Sequence, residues 1–153
     1  MRKLIVPFFA LFLLSFVNDS FAQQDILTEK GGFSVDESDE HYFLFVLNNR
    51  PSDLRELRGE ITKYIWKHHP TPKLKITQIK IEGELADVPM IHIKSFPSKS
   101  AAMKFHKELK ENRPDFMQMG MTKDYFAISK KNFEKVVRAR SLKGYKPFFA
   151  TNY

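Results

Sequence analysis

The chain has 153 residues, of which 42% are hydrophobic and 28% are charged, and its formal net charge is +7. This length and composition predict one globular domain and exclude a disordered, fibrous or repeat protein. Because the chain has no Cys, a disulfide scaffold, a thiolate zinc site, an iron–sulfur cluster, a cysteine nucleophile and a cysteine-linked lipid anchor are excluded.

Residues 1–22 have the pattern of a cleaved signal peptide. Arg2 and Lys3 give a positive start, residues 4–17 are uncharged, and residues 20–22 place small side chains at the two positions that a signal peptidase reads. The alternative is a transmembrane anchor, but about fourteen apolar residues are too few for a hydrocarbon core that needs about twenty. We therefore expect export to the periplasm, with no membrane span after cleavage before Gln23.

Charge is uneven along the rest of the chain. Residues 23–40 hold six acids against one Lys and include a Gly-Gly pair, which predicts a flexible acidic leader before a domain at 41–153. Residues 130–146 hold seven cations and one acid, which predicts a positive surface. That surface would either keep a helix face soluble or attract an anionic envelope component or an acidic partner.

Six elements and a last helix are predicted after the leader. They are a strand at 41–47, a helix capped at Ser52 or Asp53 that ends near His68, strands at 73–82 and 88–96, a helix capped by Ser98 that ends before Pro114, a strand at 125–128, and a helix capped by Ser129. In the second strand the apolar side chains stand at even positions before residues 77–78 (Leu74 and Ile76) and at odd positions after them (Ile79 and Ile81). This change predicts a β-bulge there, because one sheet face would otherwise lose its apolar side chains.

The order βαββαβ followed by a helix predicts an α+β, ferredoxin-like fold. Such a fold has one antiparallel four-stranded sheet, with strands one and three central and two helices on one face, and here also an extra C-terminal helix plus an aromatic tail. The first strand, HYFLFVL, is apolar on both alternating faces. The sheet face opposite the helices would therefore be too apolar to leave in water. We expect either the chain's own C-terminal segment or a partner protein to cover it.

The sequence offers little for catalysis or cofactor binding. The five His form no H-x-x-x-H pair, and the adjacent His68 and His69 point about 100° apart on a helix, although a zinc site assembled in space stays an alternative. There is no nucleophile-elbow, phosphate-loop or dinucleotide-binding motif. Strand three lacks the aromatic pattern of RNA-recognition modules. We expect a non-enzymatic protein that uses no cofactor or metal and binds no nucleic acid.

Two family resemblances arise from these segments. Residues 91–102 (IHIKSFPSKSAA) resemble the centre of the sporulation-related repeat (SPOR) domain, a βαββαβ module that binds peptidoglycan glycans. The second resemblance covers nearly the whole predicted domain, through the segments HYFLFVL, KITQIKIE, IKSFPSKSAAMKF, YFAISKKNFEKV and YKPFFATNY. These segments are similar to the C-terminal domain of the tetratricopeptide-repeat lipoproteins of gliding motility and type IX secretion, although this chain lacks the repeats and the lipobox Cys.

The second resemblance implies a stand-alone periplasmic module that acts through protein–protein contacts as an accessory of the type IX secretion and gliding apparatus. The first implies, as the alternative, a peptidoglycan-binding protein. We predict partner contacts in the basic helix and in the aromatic tail, where the competing interpretation is solubility or packing. The residues are Lys131, Lys135 and Arg138 in the helix and Tyr145, Phe148, Phe149 and Tyr153 in the tail.

Overall fold

A computed structural model of the chain describes residues 32–48, 51–70 and 74–153. The predicted signal peptide and residues 23–31 of the predicted leader lie outside the described residues. The elements are β1 (His41–Leu47), α1 (Pro51–His68), β2 (Lys75–Ile79), a 3-10 turn (Gly83–Leu85), β3 (Met90–Phe96), α2 (Lys99–Asn112), α3 (Asp115–Gln118), β4 (Thr122–Ser129), α4 (Lys130–Ala139) and α5 (Tyr145–Asn152).

The four strands form one antiparallel sheet in the order β2-β3-β1-β4. β1 pairs with β3 on one side and with β4 on the other, and β2 pairs with β3. The predicted α+β class, the four-stranded antiparallel sheet and the central places of β1 and β3 are thus confirmed. The arrangement is compatible with a ferredoxin-like fold.

Both faces of β1 are buried, as its sequence predicts. Phe43, Phe45 and Leu47 pack in one core cluster with residues of α1 and α2. Tyr42, Leu44 and Val46, on the other face of β1, pack in a second cluster. This cluster also contains Val136 of α4 and Tyr145 of α5. The chain's own C-terminal segment therefore covers the sheet face opposite α1 and α2.

Of the predicted caps, those of Ser98 and Ser129 are confirmed, whereas α1 begins at Pro51, ahead of the cap predicted at Ser52 or Asp53. The hydroxyl oxygen of Ser98 accepts a hydrogen bond from the N–H of Ala101 at 3.2 Å, and that of Ser129 accepts one from the N–H of Asn132 at 3.2 Å. Each cap satisfies a backbone donor that the first turn of a helix leaves without a partner. Ser129 is both the last residue of β4 and the N-cap of α4, so the helix follows the strand without a loop.

The predicted bulge in the second strand is wrong. β2 keeps a continuous register with β3 from the pair Lys75 and Lys94 to the pair Ile79 and Met90. No bulge is needed, because both sheet faces are covered by apolar clusters. Ile76 packs against one cluster and Ile79 against the other, so the change of parity only distributes the two side chains between the faces.

Part of the predicted flexible leader is folded against the domain. The compact unit that contains the sheet begins at Phe33, and so includes the last residues of the predicted leader. The ring of Phe33 meets that of Tyr145 edge-on, with centroids 4.9 Å apart. The backbone of Ser34 exchanges two hydrogen bonds with the Asn132 side chain, at 3.0 and 2.7 Å. These contacts join two segments that are almost a hundred residues apart in sequence.

Candidate interaction surface

The predicted basic helix is α4, and part of its charge is paired within the chain. Lys131 Nζ lies 2.7 Å from Asp36 Oδ2. Hydrogen bonds from Lys131 and from Ser38 lower the pKa of Asp36 to about 2. Lys135 is half-buried and Arg138 is exposed. The folded part of the acidic leader therefore neutralises some of the positive surface that the sequence predicts, and leaves Arg138 facing solvent.

The predicted aromatic tail forms α5 and ends at Tyr153. Tyr145 is fully buried; its hydroxyl donates to the carbonyl oxygen of Ala127 at 2.7 Å, and burial raises its pKa above the ordinary value. Phe148, Phe149 and Tyr153 are half-buried. Of the four predicted contact residues in the tail, these three have surface that a partner could reach.

The end of the tail is fixed to the start of β1. The Tyr153 hydroxyl lies 2.9 Å from Nε2 of the buried His41, whose Nδ1 lies 2.8 Å from the carbonyl oxygen of Asp39. Lys99 Nζ lies 5.0 Å from the centroid of the Tyr153 ring. Burial raises the pKa of Tyr153, and these contacts hold the C-terminal aromatic ring against the fold.

The two outer edges of the sheet differ. At the β4 edge, the Tyr145 hydroxyl binds a β4 carbonyl and Phe149 packs against the core clusters on both sheet faces. Helix α5 thus covers the edge beside β4. At the other edge, β2 pairs only with β3, so no described strand pairs with its outer N–H and C=O groups.

A groove between α1 and the β2 edge was not expected from the sequence. Its volume is about 560 Å³. The residues that line it are Leu54, Arg55, Arg58, Gly59 and Thr62 of α1 and Gln78 of β2. Two arginines of α1 and Gln78 of the edge strand β2 therefore lie around one depression.

One face of α1 forms the cationic wall of this groove. Arg55, Gly59 and Thr62 follow one another at helical spacing, with Arg58 beside them, and Trp66 continues the same face one turn later. Among the described residues, neither arginine forms an ion pair. Trp66 is the only Trp of the chain and is 76% exposed.

The exposure of Trp66 can be predicted from the sequence of α1. The apolar stripe of α1 buries Leu57, Ile61 and Ile65, and a helix that packs on a sheet turns only one such stripe inward. Trp66 falls outside the stripe and must therefore face solvent. The position of β2 at the sheet edge has no comparable local signal, because it depends on which strands pair.

Among the residues that the structure describes, no group of three or more His, Asp or Glu side chains could hold a metal ion. None of the helices formed by these residues combines the length and apolarity needed to cross a membrane.

In comparisons with known proteins, no protein-family model and no curated protein matches the chain. The two family resemblances therefore stay predictions from the sequence.

Proposed function

We propose that this protein is an exported, non-enzymatic binding module that acts through protein–protein contacts in the periplasm, as an accessory of the type IX secretion and gliding apparatus. The apparatus is suggested by the family resemblance alone. The structural observation that supports a protein partner is a face of α1 that carries the exposed Trp66 and two arginines, neither of which forms an ion pair among the described residues. Both faces of the sheet are already covered within the domain. Trp and Arg are the residue types that most often dominate the binding energy of protein interfaces.

The C-terminal side of the domain offers a second contact region within the same proposal. Arg138 is exposed on α4, and Phe148 and Phe149 are half-buried on α5. These residues supply a cation on α4 and partly accessible aromatic rings on α5.

Affinity capture from detergent-solubilised native envelope tests the proposal. The chain without residues 1–22 is immobilised, and captured proteins are identified by mass spectrometry. We expect a component of the secretion or gliding machinery to be retained by the native chain and lost with Trp66→Ala. The matched control is Lys104→Ala, at an exposed position of α2. If no component of that machinery is enriched over the bare support, the proposal is wrong.

Peptidoglycan binding is the second candidate. It is supported by the order of elements along the chain, which apart from the short α3 is the βαββαβ order of SPOR modules, followed here by two further helices. One of the three serines of the resembling segment, Ser98, caps α2, so its presence in the segment is explained by folding alone. Sedimentation with purified sacculi separates the candidates. Retention that persists at about 0.5 M salt would favour the cell wall, because simple charge attraction is screened at that ionic strength.

A further inference from the structure

The groove between α1 and β2 lies at a strand edge with which no described strand pairs, and its wall on α1 carries two arginines. We infer that it binds an extended acidic peptide segment of a partner protein, which adds to β2 as a further strand and places carboxylates against Arg55 and Arg58. The inference rests on the proposed function, since it names the chemistry of the partner that such a module would bind.

The backbone of β2 is suited to strand addition. Its five residues keep an unbroken register with β3, so its outer donors and acceptors are arranged regularly. Exposed edges of this kind bind extended peptides through main-chain hydrogen bonds, while alternate side chains give specificity. Natural proteins often protect an edge with a bulge or a covering element; in the described residues α5 covers the β4 edge, whereas β2 has no such cover.

Charge at this edge favours an acidic strand over a second copy of the chain. Lys75 at the start of β2 and Lys80 just after its end are both exposed. A second β2 strand would bring further lysines to the same edge, and facing like charges destabilise strand pairing. Carboxylates at the same positions would instead be attracted.

The geometry of α1 matches the alternation of an added strand. Gln78 lines the groove and Ile76 packs in the cluster beneath α1, so the even-numbered side chains of β2 face the helix. Every second side chain of an added strand would face it too. Arg55 and Arg58 are separated by about 5 Å along the helix axis, and alternate strand residues by about 7 Å. Long arginine side chains can span this difference and bind two carboxylates through charge-assisted hydrogen bonds.

Gly59 supplies the space that a peptide needs. A Cβ atom at this position would meet nothing within 4 Å, and glycine in an exposed helix interior is unfavourable compared with alanine. Packing within the domain therefore gives no reason for a glycine there. Thr62 leaves further room, because its hydroxyl donates a hydrogen bond to the carbonyl oxygen of Arg58 at 2.7 Å. Trp66 lies beyond this space and offers a flat apolar surface for a side chain of the peptide.

The first test measures binding of a fluorescein-labelled peptide of alternating Glu and Val by fluorescence anisotropy at about 0.15 M salt. We expect saturable binding, and at least about a tenfold loss of affinity in the double variant Arg55→Ala, Arg58→Ala. The control is Lys63→Ala, Lys67→Ala, on the other flank of the same helix, which changes the net charge equally. Equal losses in the two variants would indicate nonspecific charge attraction and overturn the inference, as would the absence of saturable binding.

The second test fills the space above Gly59. Gly59→Leu should abolish peptide binding without lowering the melting temperature, whereas Gly59→Ala should retain binding. Hydrogen exchange at the outward amides of β2 should slow when the peptide binds, and a peptide N-methylated at alternate residues should not bind. Native-like binding by Gly59→Leu, dimerisation of the free chain through β2, or binding of soluble peptidoglycan fragments in place of the peptide would each contradict the inference.

The two proposals can fail separately. If the native chain and Gly59→Leu capture the same secretion component from the envelope, the proposed function stands and the groove is not its site. If neither captures such a component while the acidic peptide binds the groove, the peptide site stands and the proposed function is wrong.

Discussion

His92 of β3 lies between the sheet and α4, 1% exposed, and its Nε2 atom has no hydrogen-bond partner among the described residues. Its ring meets those of Tyr42 and Phe133, with centroids 4.4 and 4.7 Å away. Burial, and then the charge of Lys94, lower the pKa of His92 from 6.5 to about 4. Protonation of His92 should therefore favour the unfolded chain.

The sign and size of the effect follow from this difference. Between about pH 6.5 and pH 4 the unfolded chain binds a proton at His92 and the folded chain does not. The contribution of neutral His92 to the stability of the fold is therefore complete above the pKa that His92 has in the unfolded chain. It decreases as the pH falls from about 6.5 to about 4. At about 1.4 kcal/mol for each pH unit, the loss is about 3 kcal/mol. Burial also lowers the pKa of His106 to about 4, so the two losses together are large beside a typical domain stability of about 5–15 kcal/mol.

Urea unfolding at about pH 7.5 and about pH 4.5 measures the effect. We expect the native chain to lose stability at the lower pH, and this loss to shrink by about 2–3 kcal/mol in His92→Leu, which cannot be protonated. Met119→Leu, at an exposed position that carries no ionisable group, is the control and should leave the loss as it is. If His92→Leu shows the same dependence on pH as the native chain, the reasoning from burial is refuted.

Three further changes test the roles assigned to glycine, tail and leader. Gly59→Ala should raise the free energy of unfolding by about 0.5–1 kcal/mol in urea, because its Cβ meets open space; a decrease would mean that the glycine serves the fold. Truncation after Leu142 removes α5 and should expose apolar surface, seen as dye binding or aggregation, whereas an unchanged monomer would show that the tail covers nothing. Asn132→Ala removes both hydrogen bonds to Ser34 and should cost about 1–3 kcal/mol, with faster proteolysis between residues 33 and 40; unaltered cleavage would contradict the assigned anchor.

Features that depend on neighbouring residues were determined by the sequence itself. Both parities of HYFLFVL are apolar, so β1 has to be buried on both sides wherever it lies, and the βαββαβ order leaves few ways to pair four strands. Ser98 and Ser129 cap their helices through bonds to residues three positions away. Each of these interactions lies within one element or between consecutive elements, where a pattern in the sequence is enough to reveal it.

Features that join distant segments were decided only by the tertiary structure. Asp36 meets Lys131 across ninety-five positions, and no local pattern indicates that the acidic leader would dock on the basic helix. Ile76 and Ile79 face opposite sides of the sheet without a bulge because apolar clusters cover both faces, which depends on how the C-terminal helices fold back. The groove beside Arg55 depends on the edge position of β2, with which only β3 pairs among the described strands. Strand pairing and helix docking arise from contacts between segments far apart in the chain, and they set which surfaces remain available for a partner.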